Sequence, residues 1–341
     1  MSFIGTSRRL LAAIAGASAF ACGAASAQDV TWKLNNNFAP ARGETKLLHG
    51  FAEEVGKLSG GKMKIVVHDG GALNLKDADI LRWLPTGVAE IGVISASFIG
   101  RDAPEINAVY IQGSVGSAAE HAKALPALEG IYRDAVKKWD IHPVGFMAFP
   151  VFKAHVFCRE PGIATLAALK SKKLRVWSKD LIDTFGRLGV AAQIIPQNDL
   201  YLAVRTGVVD CSLYPARLAG TISLQEVAPH ASYLFPVAAM PYVIAVHDTK
   251  WKSLAPALQK AMTEAAANLY ERTKRPDDDA AAEAAAQKKL EGGGAKFQAD
   301  FPDADRKAFL DAAAVTWLDL AKGAGAQAVA WRDQVLKALG R

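Results

Sequence analysis

The segment from Lys170 to Pro215 constrains the fold of this chain most strongly, because short apolar runs alternate there with helical periodicity. Two stretches carry apolar residues at helical spacing, and each is followed by a glycine, Gly189 or Gly207. Glycine adopts the left-handed conformation at little cost, so a glycine after periodic residues favours a helix end. The pattern predicts strand, helix, strand, helix, strand. Strands joined by helical crossovers form parallel sheets, and the predicted fold class is α/β.

Arg175 lies within the first of these predicted strands, between Leu174 and Val176. Arginine keeps its charge in proteins, so burying its side chain without an anion is costly. Two interpretations stay open from the pattern alone. The side chain could reach the strand edge or pair with a structural carboxylate such as Asp180 or Asp210. It could instead bind an anionic ligand, since ligands bind at the carboxyl ends of the strands in such sheets.

The central segment contains KSKKLRV (170–176) and AVRTGVVD (203–210), and an earlier stretch contains FAEEV followed by SGGKMKI (51–65). In this register, from about Trp32 to Trp251, the chain resembles the solute-binding proteins of tripartite ATP-independent periplasmic (TRAP) transporters. The resemblance implies a two-lobed periplasmic-binding-protein-like fold and an arginine, here Arg175, that binds a substrate carboxylate in a bidentate fork. A planar guanidinium matches a planar carboxylate in charge and in geometry.

The chain departs from the family pattern near this segment. Cys211 stands where the family usually has glycine, and Leu213 and Tyr214 stand where it usually has Glu-Asn. The family's asparagine hydrogen-bonds the ligand, so Tyr214 is expected to offer a ring face and a hydroxyl instead. The resemblance also implies a basic ligand contact, which aligns with His155, and Lys153 shares that strand face. A surface lysine and a packed, neutral histidine are the alternative.

Four other residues are candidate ligand contacts. Gln197 is expected to contact the ligand, and Trp177 could form a wall of the pocket or belong to the core. Asn36 and Asn37 follow the first predicted strand and precede a predicted helix, Glu44 to Leu58. Amides beside a helix start suit an anion or hydroxyl groups, although asparagines at such positions also cap helices and form turns.

Residues 1–27 have the pattern of a secretory signal, with Arg8 and Arg9 before an apolar run and an Ala-x-Ala site. We predict cleavage after Ala27 and a periplasmic location. Of the net charge of +6, two positive charges belong to this leader. No basic run alternates with aromatic residues, so nucleic-acid binding is not expected. Outside the leader, Cys158 and Cys211 lie in β-prone runs, and two free buried thiols are favoured over a disulfide.

We predict two lobes, residues 28–152 plus 238–280 and residues 153–237 plus 281–341. A long helix from Leu254 to Glu291, interrupted at Pro276, is predicted to span both. The sequence contains no nucleophile elbow and no metal-ligand spacing, so no catalytic residue, metal or cofactor is expected. The expected protein is a monomeric receptor that binds an organic acid and delivers it to TRAP permease subunits. A binding protein of an ATP-driven importer, a ligand-sensing receptor and an exported hydrolase are the alternatives.

Overall fold

The structure is a computed structural model that describes residues 30–148, 150–238, 240–274 and 280–341. The predicted leader and its cleavage site after Ala27 lie outside the described residues, and so does Pro276. None of the helices in the described residues is both long enough and apolar enough to cross a bilayer.

The strands of the described residues form two sheets. They are β1 (Val30–Asn35), β2 (Met63–His68), β3 (Ile91–Ile94), β4 (Ile141–Met147), β5 (Phe152–Cys158), β6 (Leu174–Val176), β7 (Ala192–Ile194), β8 (Cys211–Pro215), β9 (His230–Val237), β10 (Tyr242–His247) and β11 (Lys296–Phe297). The first sheet has the order β2-β1-β3-β10-β4, and the second has the order β11-β9-β5-β8-β6-β7. Each sheet forms the centre of one lobe, so the predicted two-lobed α/β fold is confirmed.

The helices cover the two sheets. They are α1 (Gly43–Leu58), α2 (Ile80–Trp83), α3 (Pro104–Asn107), α4 (Ala118–Ala135), α5 (Leu166–Leu169), α6 (Lys179–Arg187), α7 (Gln197–Arg205), α8 (Ala216–Ala219), α9 (Leu224–Val227), α10 (Asp248–Ser253), α11 (Pro256–Thr273), α12 (Ala280–Gly292), α13 (Asp303–Ala324) and α14 (Ala326–Leu339). Short 3-10 turns flank α2 and follow α4 and α8.

The central segment folds as its pattern predicts. Strand β6 pairs in parallel with both β7 and β8, and α6 and α7 are the crossovers between them. Gly189 and Gly207 follow the two helices with positive φ angles of 73° and 77°. The third strand of this unit begins at Cys211. The parallel arrangement brings the carboxyl ends of β6 and β8 to one edge of the second sheet.

Two helices extend the chain from one lobe to the other. Helix α11 packs on α1 and β4 beside the first sheet, whereas α12 packs on α8 and β11 beside the second. Residues 275–279 connect the two helices and lie outside the described residues, so the prediction of one long helix is not tested. Helix α14 packs on α4. The last helix therefore contacts the first lobe, although the predicted boundary assigns residues 281–341 to the second.

The second sheet contains β9, to which Tyr233 to Val237 belong and which pairs with β5 and β11. It also corrects one prediction. Cys158 and Cys211 were expected to be free thiols, but they form a disulfide between β5 and β8. The antiparallel register places them directly opposite each other, with their Cα atoms 4.1 Å apart. This register joins residues 53 positions apart, and local sequence patterns do not determine it.

Candidate ligand-binding cleft

Arg175 lies in the middle of β6 and is only 2% exposed. Its Nε donates a hydrogen bond to the carbonyl of Ile195 at 2.9 Å, and Nη1 lies 3.4 Å from the carbonyl of Leu213. The first of these bonds fixes the orientation of the guanidinium plane. Two neutral carbonyls satisfy part of the donor capacity of this group, but they do not neutralise its charge.

The two structural carboxylates that could pair with Arg175 have other partners. Asp180 Oδ2 accepts a hydrogen bond from the Gln112 amide, and Asp210 Oδ2 accepts one from the Lys173 amide, both at 2.9 Å. No carboxylate oxygen of the described residues lies within 4.0 Å of the Arg175 guanidinium. Burial lowers the pKa of Arg175 to about 10, and the positive charge of Arg42 contributes to this decrease. An anion in the cleft would therefore stabilise Arg175.

Arg42 is a second buried arginine of the cleft, and the sequence analysis missed it. It precedes α1, is 8% exposed, and pairs with the carboxylate of Glu44. Burial favours a lower pKa for Arg42, but the paired Glu44 carboxylate raises it overall. Its Nη1 also donates a hydrogen bond of 2.5 Å to Gln197 Oε1 on the other lobe. The position of Arg42, between a strand end and a helix start, was the available signal.

Tyr214 and Gln197 connect the two arginines. The Arg175 guanidinium carbon lies 5.6 Å from the centre of the Tyr214 ring. The Tyr214 hydroxyl donates to Gln197 Oε1 at 2.8 Å, and this oxygen also accepts the bond from Arg42. Gln197 Nε2 is buried and has no hydrogen-bond partner among the described residues. The structure thus brings two predicted side chains, Tyr214 and Gln197, together with the unpredicted Arg42 near Arg175.

His155 lies on the same face of the second sheet as Arg175 and Tyr214. The register pairs His155 with Tyr214 across β5 and β8, and directly opposed residues share a sheet face. The histidine is 6% exposed, its Nδ1 lies 3.0 Å from the carbonyl of Lys153, and its ring packs on Tyr233 and Phe297. Burial lowers the pKa of His155 to about 4, so this side chain is neutral near pH 7.

The other two candidates of the second lobe have different surroundings. Lys153 is exposed, and its Nζ lies 5.5 Å from the centre of the Tyr233 ring. Trp177 is half-buried and packs against the main apolar core. Neither residue makes a hydrogen bond to Arg175, Tyr214 or Gln197. The structure therefore does not group Lys153 or Trp177 with the residues around the buried guanidinium.

Asn36 and Asn37 lie at the carboxyl end of β1, in the first lobe. Asn36 is saturated by its own lobe: its Nδ2 donates to Thr45 and Asp69, and its Oδ1 accepts from the Phe38 amide. Asn37 Nδ2 donates to the Leu75 carbonyl at 2.8 Å and to Asp77 Oδ1 at 2.6 Å. These bonds form the turns that precede α1 and α2, as the turn interpretation predicts.

A small cavity of about 10 Å³ lies between these turns and the first sheet. Asn35, Asn36, Asn37, Asp77, Ser95 and Tyr242 are among the residues that line it. A larger cavity of about 450 Å³ lies between α13, α14 and residues 113–116, and it contains none of the predicted site residues. We assign the site to the cleft, because the unpaired cation lies there. No cluster of three metal-ligating side chains occurs in the part of the chain that the structure describes.

A two-lobed α/β fold with a buried, unpaired cation near the interlobe cleft defines a solute-binding protein. The chain belongs to the DctP family, the bacterial extracellular solute-binding proteins of family 7, whose profile matches residues 35–323. This assignment confirms the resemblance seen in the sequence. Members of this family are solute receptors.

Individual relatives agree with the family assignment. A solute-binding protein of Roseobacter denitrificans is 24% identical over 304 residues, which cover 86% of this chain and 91% of the relative. The crystal structure of DctP7 from Bordetella pertussis, a receptor that binds pyroglutamic acid, has a TM-score of 0.80 at 20% identity. The match covers 92% of this chain and 100% of the DctP7 chain. A TRAP periplasmic solute-binding protein from Sulfitobacter with bound β-D-galacturonate has a TM-score of 0.76 at 20% identity, covering 91% and 100%.

Proposed function

We propose that this protein is an extracytoplasmic receptor that binds an organic acid between its lobes and delivers it to a TRAP permease. The observation that carries this proposal is the Arg175 guanidinium, which is buried, charged and without a carboxylate partner among the described residues. A buried charge is tolerated when an anion pairs with it. The ligand carboxylate is that anion. The solved relatives named above bind pyroglutamate and galacturonate, which both carry one carboxylate.

Binding combines a fixed anchor with closure of the lobes. Arg175 Nε is engaged by Ile195, so Nη1 and Nη2 form the carboxylate fork. Tyr214 and Gln197 contact the rest of the ligand, with Asn37 opposite them on the first lobe. Asn36, His155, Lys153 and Trp177 belong to the wider set of proposed contacts. Closure excludes water, and the lower effective dielectric strengthens the charged hydrogen bonds.

The remaining parts of the proposal concern location and organisation. The protein acts as a monomer in the periplasm, after removal of residues 1–27, and it catalyses no reaction. The lobes comprise residues 28–152 plus 238–280 and residues 153–237 plus 281–341. The contact between α14 and α4 favours moving the last helix to the first lobe.

The proposal is tested by a thermal-shift screen of the purified protein against mono-, di- and keto-acids, followed by calorimetric titration. Arg175→Ala should weaken binding of each acid found by at least about 30-fold, since losing one partner of a buried charge pair costs on the order of 2–5 kcal/mol. Arg175→Lys should also weaken binding, because an ammonium group cannot form the fork. Arg205→Lys, on the exposed end of α7, is the matched control.

Equal acid affinities of the Arg175→Ala variant and the wild-type protein would overturn the assignment of Arg175. An absence of binding by every acid in the screen would overturn the receptor proposal. Circular dichroism of each variant checks that the fold is retained.

A further inference from the structure

We propose that Asn35 and Asp77 form a second recognition point in this cleft, which accepts a hydrogen-bond donor of the ligand and rejects a second carboxylate. The proposal rests on the function proposed above and deepens it. The ligand class is then a monocarboxylic acid that carries an N–H or O–H group, such as a lactam acid or a hydroxy acid.

Asn35 presents an acceptor that the described residues do not satisfy. It is the last residue of β1, it is 2% exposed, and its Nδ2 donates to the Leu75 carbonyl at 3.1 Å. Its Oδ1 is buried without a hydrogen-bond partner and belongs to a residue that lines the small cavity. Buried polar atoms in proteins are almost always paired, so an orphaned acceptor beside a cavity indicates a donor supplied from outside the chain.

Asp77 adds a carboxylate to the same cavity. Its Oδ1 accepts the short bond from Asn37, and no lysine or arginine of the described residues lies within 4.0 Å of either oxygen. The side chain is partly exposed and belongs to a residue that lines the cavity. Burial raises the pKa of Asp77 to about 6, against the opposing effect of the Asn37 bond. An unpaired carboxylate in this position attracts donors and repels anions.

A continuous series of contacts connects this cavity with Arg175. Arg175 lies under the Tyr214 ring, and Tyr214 and Arg42 both bond to Gln197 Oε1. The Arg42 guanidinium carbon lies 4.8 Å from the centre of the Phe38 ring, and the Phe38 and Tyr242 rings are 5.2 Å apart. Phe38 and Tyr242 line the cavity with Asp77. The acid anchor and the acceptors therefore belong to one cleft.

The charges along this path predict the polarity of the ligand. Arg42 and Glu44 pair with each other between the two points, so neither of them is free to balance an additional ligand charge. Arg175 remains for one carboxylate, and Asp77 opposes a second one. The cavity of about 10 Å³ has room for about one water molecule, so a larger ligand group requires the side chains around it to rearrange.

The test uses pairs of acids that differ by the donor group. Pyroglutamate is compared with cyclopentanecarboxylate, lactate is compared with propionate, and succinate supplies a second carboxylate. Calorimetric titration of the wild-type protein should show at least roughly tenfold tighter binding for the donor-carrying member of each bound pair, because an unpaired buried acceptor discriminates strongly. Succinate should bind more weakly than either preferred acid.

Asp77→Asn should remove most of this donor preference and improve the relative affinity for succinate, since an amide also donates and carries no charge. Asp79→Asn is the matched control, because Asp79 pairs with Arg101 at the surface and does not line the cavity. A change of preference in the Asp79 variant equal to that of the Asp77 variant would count against the proposal.

The outcomes separate the two proposals. Two results overturn the recognition point and leave the receptor function: acids bind in an Arg175-dependent way without a donor preference, or the donor preference is unchanged by Asp77→Asn. Failure of all five acids to bind the wild-type protein overturns the recognition point, and failure of every acid in the wider screen overturns the receptor function as well.

Discussion

The buried ionisable residues of the cleft differ in how their charge is balanced. Arg42 is paired with Glu44, Arg175 has no carboxylate partner among the described residues, and His155 is neutral. Burial acts on all three side chains, so the difference comes from the neighbours of each group. The unbalanced charge of Arg175, and not burial alone, distinguishes it from the other two residues and supports the ligand position proposed above.

The neutral state of His155 predicts a pH dependence of stability. Burial lowers its pKa from 6.5 to about 4 in the folded protein, so the unfolded chain binds the proton first as the pH falls. The contribution of His155 to stability is present above pH 6.5 and is lost between pH 6.5 and 4. The wild-type protein loses unfolding free energy between pH 7.5 and 4.5, and each pKa unit of the His155 shift contributes about 1.4 kcal/mol to this loss. The His155→Gln variant lacks this group, so its loss over the same pH range should be smaller by about 2–3 kcal/mol.

Urea denaturation at the two pH values measures this difference. His49→Gln is the control, because the His49 side chain is 47% exposed. His121 is buried, and its pKa is also lowered to about 4, so the His155 variant should keep part of the acid sensitivity. Identical pH dependence of the His155 variant and the wild-type protein would contradict the prediction.

At the scale of elements, β5 and β8 position two of the candidate site residues. They carry His155 and Tyr214, β8 pairs with the Arg175 strand, and the disulfide joins them at the end opposite Tyr214. A crosslink between adjacent strands maintains their register. A one-residue slip would turn Tyr214 to the other face of the sheet, away from Arg175.

Removal of the disulfide should destabilise the protein. The crosslink closes a loop of 53 residues, and the double variant Cys158→Ala/Cys211→Ala should lose about 2–4 kcal/mol of unfolding free energy. Denaturation with and without a reductant measures the loss. The reductant should lower the stability of the wild-type protein and leave the double variant unchanged. Two reactive thiols in the unfolded, unreduced wild-type protein would show that the bond does not form.

At the scale of the whole molecule, hydrogen bonds connect the two lobes across the cleft. Gln197 accepts from Arg42, and Asn198 Nδ2 donates to the Gly70 carbonyl at 3.2 Å. These bonds join the start of α7 to turns of the first lobe. They exist only when the lobes are close, so they favour the closed arrangement.

Asn198→Ala should weaken ligand binding although Asn198 is exposed. One interlobe hydrogen bond contributes about 1 kcal/mol, so the loss should be roughly fivefold in affinity. Calorimetric titration measures it with an acid identified in the screen, and Arg205→Ala at the other end of α7 is the control. Small-angle scattering should show that this acid decreases the radius of gyration of the wild-type protein. Unchanged affinity would mean that closure does not depend on this bond.

Much of the fold was predictable, because the signals in the sequence are local. Helical periodicity and the two glycines predicted the β6-to-β8 unit and its parallel pairing. The position of Arg175 inside a predicted strand also matches the structure, which buries this side chain in β6. These inferences depend on the conformational preferences of a few neighbouring residues, which the chain carries before it folds.

Tertiary packing decided the rest of the site. Arg42 and Gln197 are 155 residues apart, the two cysteines are 53 apart, and the Asn37–Asp77 bond connects separate turns. The pairing of Arg42, the neutral state of His155 and the orphaned oxygen of Asn35 follow from which groups the folded chain places together. Charge balance and hydrogen-bond satisfaction depend on distance in space, and a linear sequence does not specify that distance.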